Sequence, residues 1–297
     1  MKVLILGLGY SCLYFVRSRG LAAKVVGTTT HRENAALLSS EGIRTAFFDG
    51  VAFDAWLPGV IADCDAAIVS VPPETSGDPV FAAFAPALRA APRLTRIVYL
   101  STIGVYGDHG GAWIDEDTPP RAVSSRSRGR LAAESAWRRL GEESGKAVHI
   151  LRLAGIYGPR RNALVALAEG TARRIVKPGQ AFNRIHVEDI ARTISACLVS
   201  ELPGGIWNVA DDEPTPGADV VEYAARLLKV PPPPEIAFEA ADLSAMARSF
   251  YGESRRASNR RLKQSLGVRL AFPSYREGLR SLHAAGEGPA PTLGANP

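Results

Sequence analysis

Gly7 and Gly9 follow a short apolar run, Lys2 to Leu6, and open an amphipathic stretch, Ser11 to Arg19. With Cys12 they fill the three glycine positions of a G-x-G-x-x-G turn, in which a strand hands its chain to a helix N-terminus. That spacing can hold a pyrophosphate. The first glycine allows the tight turn, the second lets the backbone approach the phosphates, and the free amides at the helix start stabilise their charge. The third position needs only a small residue for packing of helix on strand, a requirement Cys12 meets. Tyr10 and Ser11 inside the turn complete the expected cofactor-binding set, together with Val71 and Pro72 at the end of a later apolar run.

About 20 residues beyond the glycines, an NAD-specific turn carries Asp or Glu for the ribose hydroxyls. Here the chain reads Thr28, Thr29, Thr30, His31, Arg32, with no acid between the glycine turn and Glu33. Thr28, Thr29 and Arg32 are therefore candidates to hold a 2′-phosphate through charge-assisted hydrogen bonds. NADP(H) is the expected cofactor, with NAD(H) as the alternative. Asp49 is a candidate partner for the adenine amine and reads equally as a turn residue.

These residues need a rigid frame. The apolar run 2–6, Ala23 to Gly27, Thr45 to Phe48, Ala66 to Val71, Ile97 to Ser101 and His149 to Leu153 read as strands. The fourth, uniformly apolar and stopped by Pro72 and Pro73, suits a strand buried on both faces. Helical spacing appears over 11–19, Glu33 to Glu41, Leu131 to Leu140 and Ala163 to Arg173. Arg184 to Ile190 leads into a further helix, and Ile206 to Val209 is strand-like. Alternation of this kind predicts an α/β fold, a doubly wound parallel Rossmann sheet with a small C-terminal α/β cap. The expected division is a dinucleotide-binding domain over 1–160, then remaining Rossmann elements and a substrate cap over 161–284. Pro231 to Pro234 is a stiff break. A disordered tail is expected over 285–297, where Gly, Pro and Ala leave little to bury.

Composition narrows the function. With 297 residues, 46% of them hydrophobic, the chain can bury a full core. The formal charge of +5 is spread along the chain, mostly on arginine, without the Lys/Arg block or aromatic stripe that nucleic acid requires. Cys12, Cys64 and Cys197 match no disulfide framework or zinc spacing, and the histidines are equally scattered, so no metal is expected and a cytoplasmic setting is. The N-terminus lacks the charged region of a signal peptide, and no apolar run reaches 18 residues, so no membrane is expected. The expected partner is a small-molecule substrate, with the oligomeric state open.

Several segments in order, GLGYSC, YLSTIGVYGD from Tyr99, DEDTPP from Asp115, LRLAGIYGPRR from Leu151, RIHVEDIA from Arg184, WNVADDEP from Trp207 and SNRRLKQSLGV from Ser258, carry a resemblance. The sequence resembles the extended short-chain dehydrogenases/reductases, also described as the NAD-dependent epimerase/dehydratase family, from residue 1 to about 282. The resemblance implies that Thr102 hydrogen-bonds the reacting oxygen. It also implies a Tyr-x-x-x-Lys pair, Tyr as general acid/base and Lys lowering its pKa while holding the nicotinamide ribose. The matching positions are Arg126 and Arg130. An arginine is not deprotonated in a protein, so Arg126 cannot exchange a proton; Arg130 can still donate hydrogen bonds. The chain thus resembles the atypical branch that keeps the fold and loses the pair. Tyr106, Tyr157 and His186 are substitute acids to weigh against packed, hydrogen-bonded residues, and Asp189 reads as an N-cap. Two readings stand: an NADP(H)-dependent oxidoreductase or epimerase with Thr102, Arg126 and Arg130 at its reaction site and Arg126 as an anion clamp, or a non-catalytic NADP(H)-sensing regulator.

Overall fold

The computed structural model describes residues 1–288. Its first half alternates as expected: β1 (Val3–Leu6), α1 (Tyr10–Ser18), β2 (Val25–Thr29), α2 (Arg32–Ser40), β3 (Arg44–Phe47), α3 (Leu57–Asp63), β4 (Ala66–Val69), α4 (Pro79–Ala90), β5 (Arg96–Thr102), β6 (Trp113–Ile114), α5 (Ser125–Ser144) and β7 (Ala147–Leu153). The second half runs β8 (Gly155–Tyr157), α6 (Ala163–Ala168), β9 (Arg174–Val176), β10 (Arg184–His186), α7 (Val187–Val199), β11 (Gly204–Val209), α8 (Gly217–Leu228), β12 (Glu235–Ala237), α9 (Ala245–Tyr251), β13 (Arg256–Ala257), α10 (Arg260–Ser265) and α11 (Tyr275–Ala284).

Seven strands form one parallel sheet in the order β11-β7-β5-β4-β1-β2-β3. The winding reverses between β1 and β4, so a crevice opens above their carboxyl ends, where ligands of open α/β sheets lie. The central strands are apolar on both faces because both are covered. Val3 and Ile5 join a core with Phe15, Ile190 and Ile194 on one side. Leu4 and Leu6 join another with Phe84, Trp137 and Leu140 on the opposite side.

A third apolar cluster, Tyr157, Leu164, Val220, Ala224, Tyr275, Leu279 and Leu282, holds the cap together. Three further two-stranded parallel pairs form, β8 with β10, β9 with β12 and β6 with β13, the last joining the segment after β5 to the C-terminal half.

Several boundaries differ from the sequence reading for local reasons. Helix α5 begins at Ser125 rather than at Leu131, because the Ser124 hydroxyl caps it by accepting from Ser127 N at 3.0 Å. Helix α6 ends at Ala168 rather than at Arg173, where Gly170 takes the left-handed conformation at φ 67°. Helices α3 and α4 escape the apolar-period reading because each carries proline. In both, a proline stands in the first turn, which needs no amide donor there, and α4 also absorbs Pro86 within.

The expected tail begins too early: Gly286 donates to His283 O at 2.9 Å and Glu287 donates to Leu282 O at 3.0 Å, so 285–288 complete a turn after α11. The rest of that expectation, 289–297, lies outside the described residues.

Candidate functional site

Gly7 leaves β1 at φ 102°, and a Cβ there would come within 3.0 Å of the Val71 side chain and backbone nitrogen. Only glycine fits both demands. Val71, just beyond β4 and followed by Pro72, thus walls the turn on the side where the winding reverses. At Gly9 the opposite holds: an added Cβ would meet nothing within 4 Å. Gly9 is extended and precedes α1 without a side-chain cap, so the first amides of that helix face open space with no acceptor from a side chain. Ser11 and Cys12 are buried beneath them, and burial pushes the Cys12 thiol up to about 12, leaving it a packing residue. Tyr10 points away from the turn; its hydroxyl donates to Pro159 O at 3.1 Å.

The end of β2 corrects one expectation. Thr28 is buried, and its hydroxyl oxygen accepts the Gly7 amide at 2.8 Å while its carbonyl accepts Leu8 N at 2.9 Å. It pins the glycine turn, and at 1% exposure its hydroxyl lies beneath the surface rather than at the rim where a 2′-phosphate would sit. Thr29 remains at the rim, with its hydroxyl bound to the His31 backbone at 3.3 Å. Arg32 stands over the Phe47 ring, 4.1 Å from its centroid, and pairs with Asp54 at 3.0 Å, its side chain 66% exposed.

Asp54 is a residue the sequence reading missed. It follows β3 with no marker, and only folding brings it beside Arg32, where its other oxygen accepts Phe47 N at 2.8 Å. That amide and the guanidinium hold its carboxyl below the usual carboxylate range. An acid does therefore stand near the ribose end, supplied by a loop rather than by β2. Asp49 spends one oxygen on its own turn, accepting Val51 N at 2.9 Å and Ala52 N at 2.8 Å, which lowers its pKa.

At the other end, Thr102 closes β5. Its oxygen accepts Gly104 N at 3.0 Å, leaving its proton free to be donated. Arg126 lies exposed on the first turn of α5, 3.8 Å from the Met246 sulfur of α9 across the cleft. Arg130 is committed inward, donating to Leu100 O at 2.9 Å and to the Tyr99 hydroxyl at 3.1 Å.

None of the three substitute acids is presented to the cleft. Tyr106 is buried and donates to Asn208 Oδ1 at 2.8 Å; Tyr157 donates to Ser274 O at 3.3 Å; burial raises the pKa of both. His186 caps α7, its Nδ1 accepting Glu188 N at 3.1 Å, and burial lowers its pKa to about 4. The N-cap is thus His186 rather than Asp189. Asp189 is buried in the first turn of α7 and binds the Ala271 and Phe272 amides at 2.6 and 3.1 Å.

Beneath the cleft lies a polar network that no motif marked. Arg152 on β7 and Glu134 on α5 pair at 2.7 Å, both almost fully buried. The Ser101 hydroxyl donates to Glu134, Arg152 lies 4.6 Å over the Tyr106 ring, and Asn208 N donates to Glu116 at 2.8 Å. Breaking such a pair would strand a buried charge. The network fixes β5, β7 and α5 to one another through Ser101, the residue before Thr102 on β5.

A family model described as "NAD dependent epimerase/dehydratase family" matches residues 81–210. Protein YeeZ of Escherichia coli (strain K12) is 30% identical over 244 residues, 78% of this chain and 85% of that protein. A 3-diazoavenalumate denitrifying reductase of Streptomyces sp is 31% identical over 203 residues, 62% of this chain and 64% of that protein. A solved structure of a functionally unknown conserved protein from Silicibacter pomeroyi DSS superposes with a TM-score of 0.85 at 41% identity, over 96% of this chain and 99% of that one. No helix among the described residues is long and apolar enough to cross a membrane, and none of their His, Cys, Asp or Glu side chains group in threes fit to hold a metal.

Proposed function

The chain belongs to the NAD-dependent epimerase/dehydratase family, and on that premise we propose that it is an NADP(H)-dependent oxidoreductase or epimerase acting on a small, anionic substrate in the cytoplasm. The observation that carries the reading is the open space at Gly9 before the uncapped start of α1, where an added Cβ would meet no protein atom within 4 Å and a pyrophosphate would lie against the free helix amides. Gly7, Gly9, Tyr10, Ser11 and Cys12 form the turn that would hold the dinucleotide, Val71 and Pro72 its wall, and Thr29 and Arg32 the 2′-phosphate end. The bound cofactor would supply or accept a hydride.

What this chain's own residues add follows from the cleft. Thr102 donates its free hydroxyl proton to the substrate's reacting oxygen. Arg126 holds an anionic group as a planar, two-pronged donor and carries no proton back and forth. Arg130, tied to β5, fixes the start of α5 rather than contacting the ribose as a mobile lysine would. The resemblance to a protein named as a reductase supports hydride transfer as the reaction class. Burial of all three cysteines as free thiols suits a reducing compartment.

A second reading, a regulator that senses the NADP(H) pool, draws on the same commitment of Arg130 and on the absence of a presented acid. Loss of NADPH absorbance with a panel of anionic ketones, aldehydes and sugar nucleotides decides between them. Turnover of any member, seen as loss of NADPH absorbance or, for the redox-neutral epimerase arm, as epimer formed from a sugar nucleotide in the presence of NADP, supports the enzyme, and dinucleotide binding with neither outcome across the panel supports the sensor.

A further inference from the structure

We propose that Glu287 is a positioning residue: its carboxylate latches the loop 158–162 and, through it, couples the cap to the start of α1. The inference deepens the reading of the glycine turn as a dinucleotide site.

The loop follows β8 and turns tightly, Gly158 N and Arg161 O, and Arg161 N and Gly158 O, each pairing at 3.0 Å. Arg160 at its tip sits at φ 61°, a left-handed conformation that a residue with a Cβ rarely adopts unless held. Something must hold it there. The Arg160 amide donates to both oxygens of Glu287, at 2.7 and 3.0 Å, and Asn162 Nδ2 donates to the same carboxylate at 2.7 Å. Hydrogen bonds to an ionised acceptor are the strong class.

Each neighbour of this junction leads to a different part of the molecule. Asn162 also caps α6, its Oδ1 accepting Leu164 N at 2.9 Å, and its Nδ2 donates to Gly158 O at 2.9 Å. Pro159 O accepts the Tyr10 hydroxyl at 3.1 Å, and the Arg161 guanidinium lies 5.7 Å from the centroid of the Tyr10 ring. Tyr10 is the first residue of α1, beside the Gly9 space. Glu287 itself is fixed by the turn after α11 and by Gly288, at φ 106°, where a Cβ would run into Leu228 of α8. One carboxylate therefore ties the chain's C-terminal turn to the loop that braces the turn proposed to hold the dinucleotide.

Glu287→Ala in the full chain removes all three bonds. Glu287→Gln keeps one carbonyl oxygen that can accept from both the Arg160 amide and Asn162, as one Glu287 oxygen does, but without the negative charge that strengthens those bonds. In hydrogen–deuterium exchange, amides of 158–162 should exchange about tenfold faster or more in the Ala variant, the low end for losing a hydrogen bond to a charged group, with the Gln variant between. If the freed loop is correctly placed only about a third of the time, NADPH affinity should fall about threefold while the thermal midpoint stays near the parent's. Unchanged exchange at 158–162 in Glu287→Ala overturns the latch. Faster exchange with unchanged NADPH affinity overturns its positioning role. A parent protein that binds no dinucleotide would instead defeat the reading of the glycine turn, while accelerated exchange in the variants would still support the latch itself.

Discussion

Replacing Arg32 with Ala should weaken NADPH binding far more than NADH binding. A hydrogen bond to a charged group contributes about 1.5–3 kcal/mol when both partners are otherwise hydrated. The cofactor's phosphate does not find Arg32 free: the guanidinium pairs with Asp54 at 3.0 Å while 66% exposed, and an exposed pair of that kind contributes about 0–1 kcal/mol. Exchanging one partner for the other leaves a net loss on truncation of about 0.5–3 kcal/mol, or roughly twofold to 150-fold in Kd. NADH has no 2′-phosphate, so its affinity should move by less than about twofold on the same reasoning. Asp54→Asn provides the opposite perturbation. The amide oxygen can still accept Phe47 N, while the competing charge is gone, so NADPH should bind tighter by up to about fivefold, the value of the pair it no longer displaces. Isothermal titration at fixed ionic strength measures both. Equal losses for NADPH and NADH in Arg32→Ala, or weaker NADPH binding in Asp54→Asn, would refute the assignment of Arg32 to the 2′-phosphate.

Gly9→Val should abolish binding of both dinucleotides with the far-ultraviolet circular dichroism unchanged, because the added Cβ meets no atom within 4 Å and the side chain takes the space in front of the helix amides; undiminished affinity would remove the site from this turn. Once a substrate is in hand, Arg126→Lys should chiefly raise KM, since a point charge replaces a two-pronged donor, whereas Thr102→Ala should lower kcat about 10²-fold as a transition-state hydrogen bond is lost. A pH–rate limb that disappears in the Arg126 variant would contradict this division. Burial raises the Asp211 carboxyl to about 8, with Arg184 opposing the shift in part. The folded chain therefore holds a proton that the unfolded chain releases near pH 4, and stability should fall as pH rises through that window toward 8, by up to about 1.4 kcal/mol per pH unit. Thermal midpoints of Asp211→Asn should lack that decline; a parallel decline would assign it to other groups.

Uniform apolar runs were enough to read the parallel sheet, because a strand covered on both faces has no polar side to confuse with a helix. The glycine turn was legible for a similar reason, since Gly7 and Gly9 answer to backbone constraints that act within a few residues. Thr28 was not. Its type suggested a phosphate ligand, and only the approach of β1 to β2 shows its hydroxyl oxygen buried against the Gly7 amide. Asp54 and Glu287 carry no local signature, for what they do depends on partners 22 and 127 residues away. The Glu134 and Arg152 pair is equally silent in sequence, where a charged residue on a helix reads as solvated until packing buries it. Helix ends were missed where a cap or a left-handed glycine overrides apolar spacing, as at Ser124 and Gly170.

The most direct test is calorimetric titration of the unaltered protein with NADPH and, separately, NADH. The account predicts saturable binding of both at one site per chain, with NADPH the tighter by at least about twofold, the low end of what the Arg32 contact supplies once Asp54 is displaced. Tighter binding of NADH would contradict the assigned preference, and no binding of either would contradict the dinucleotide site at Gly9 itself.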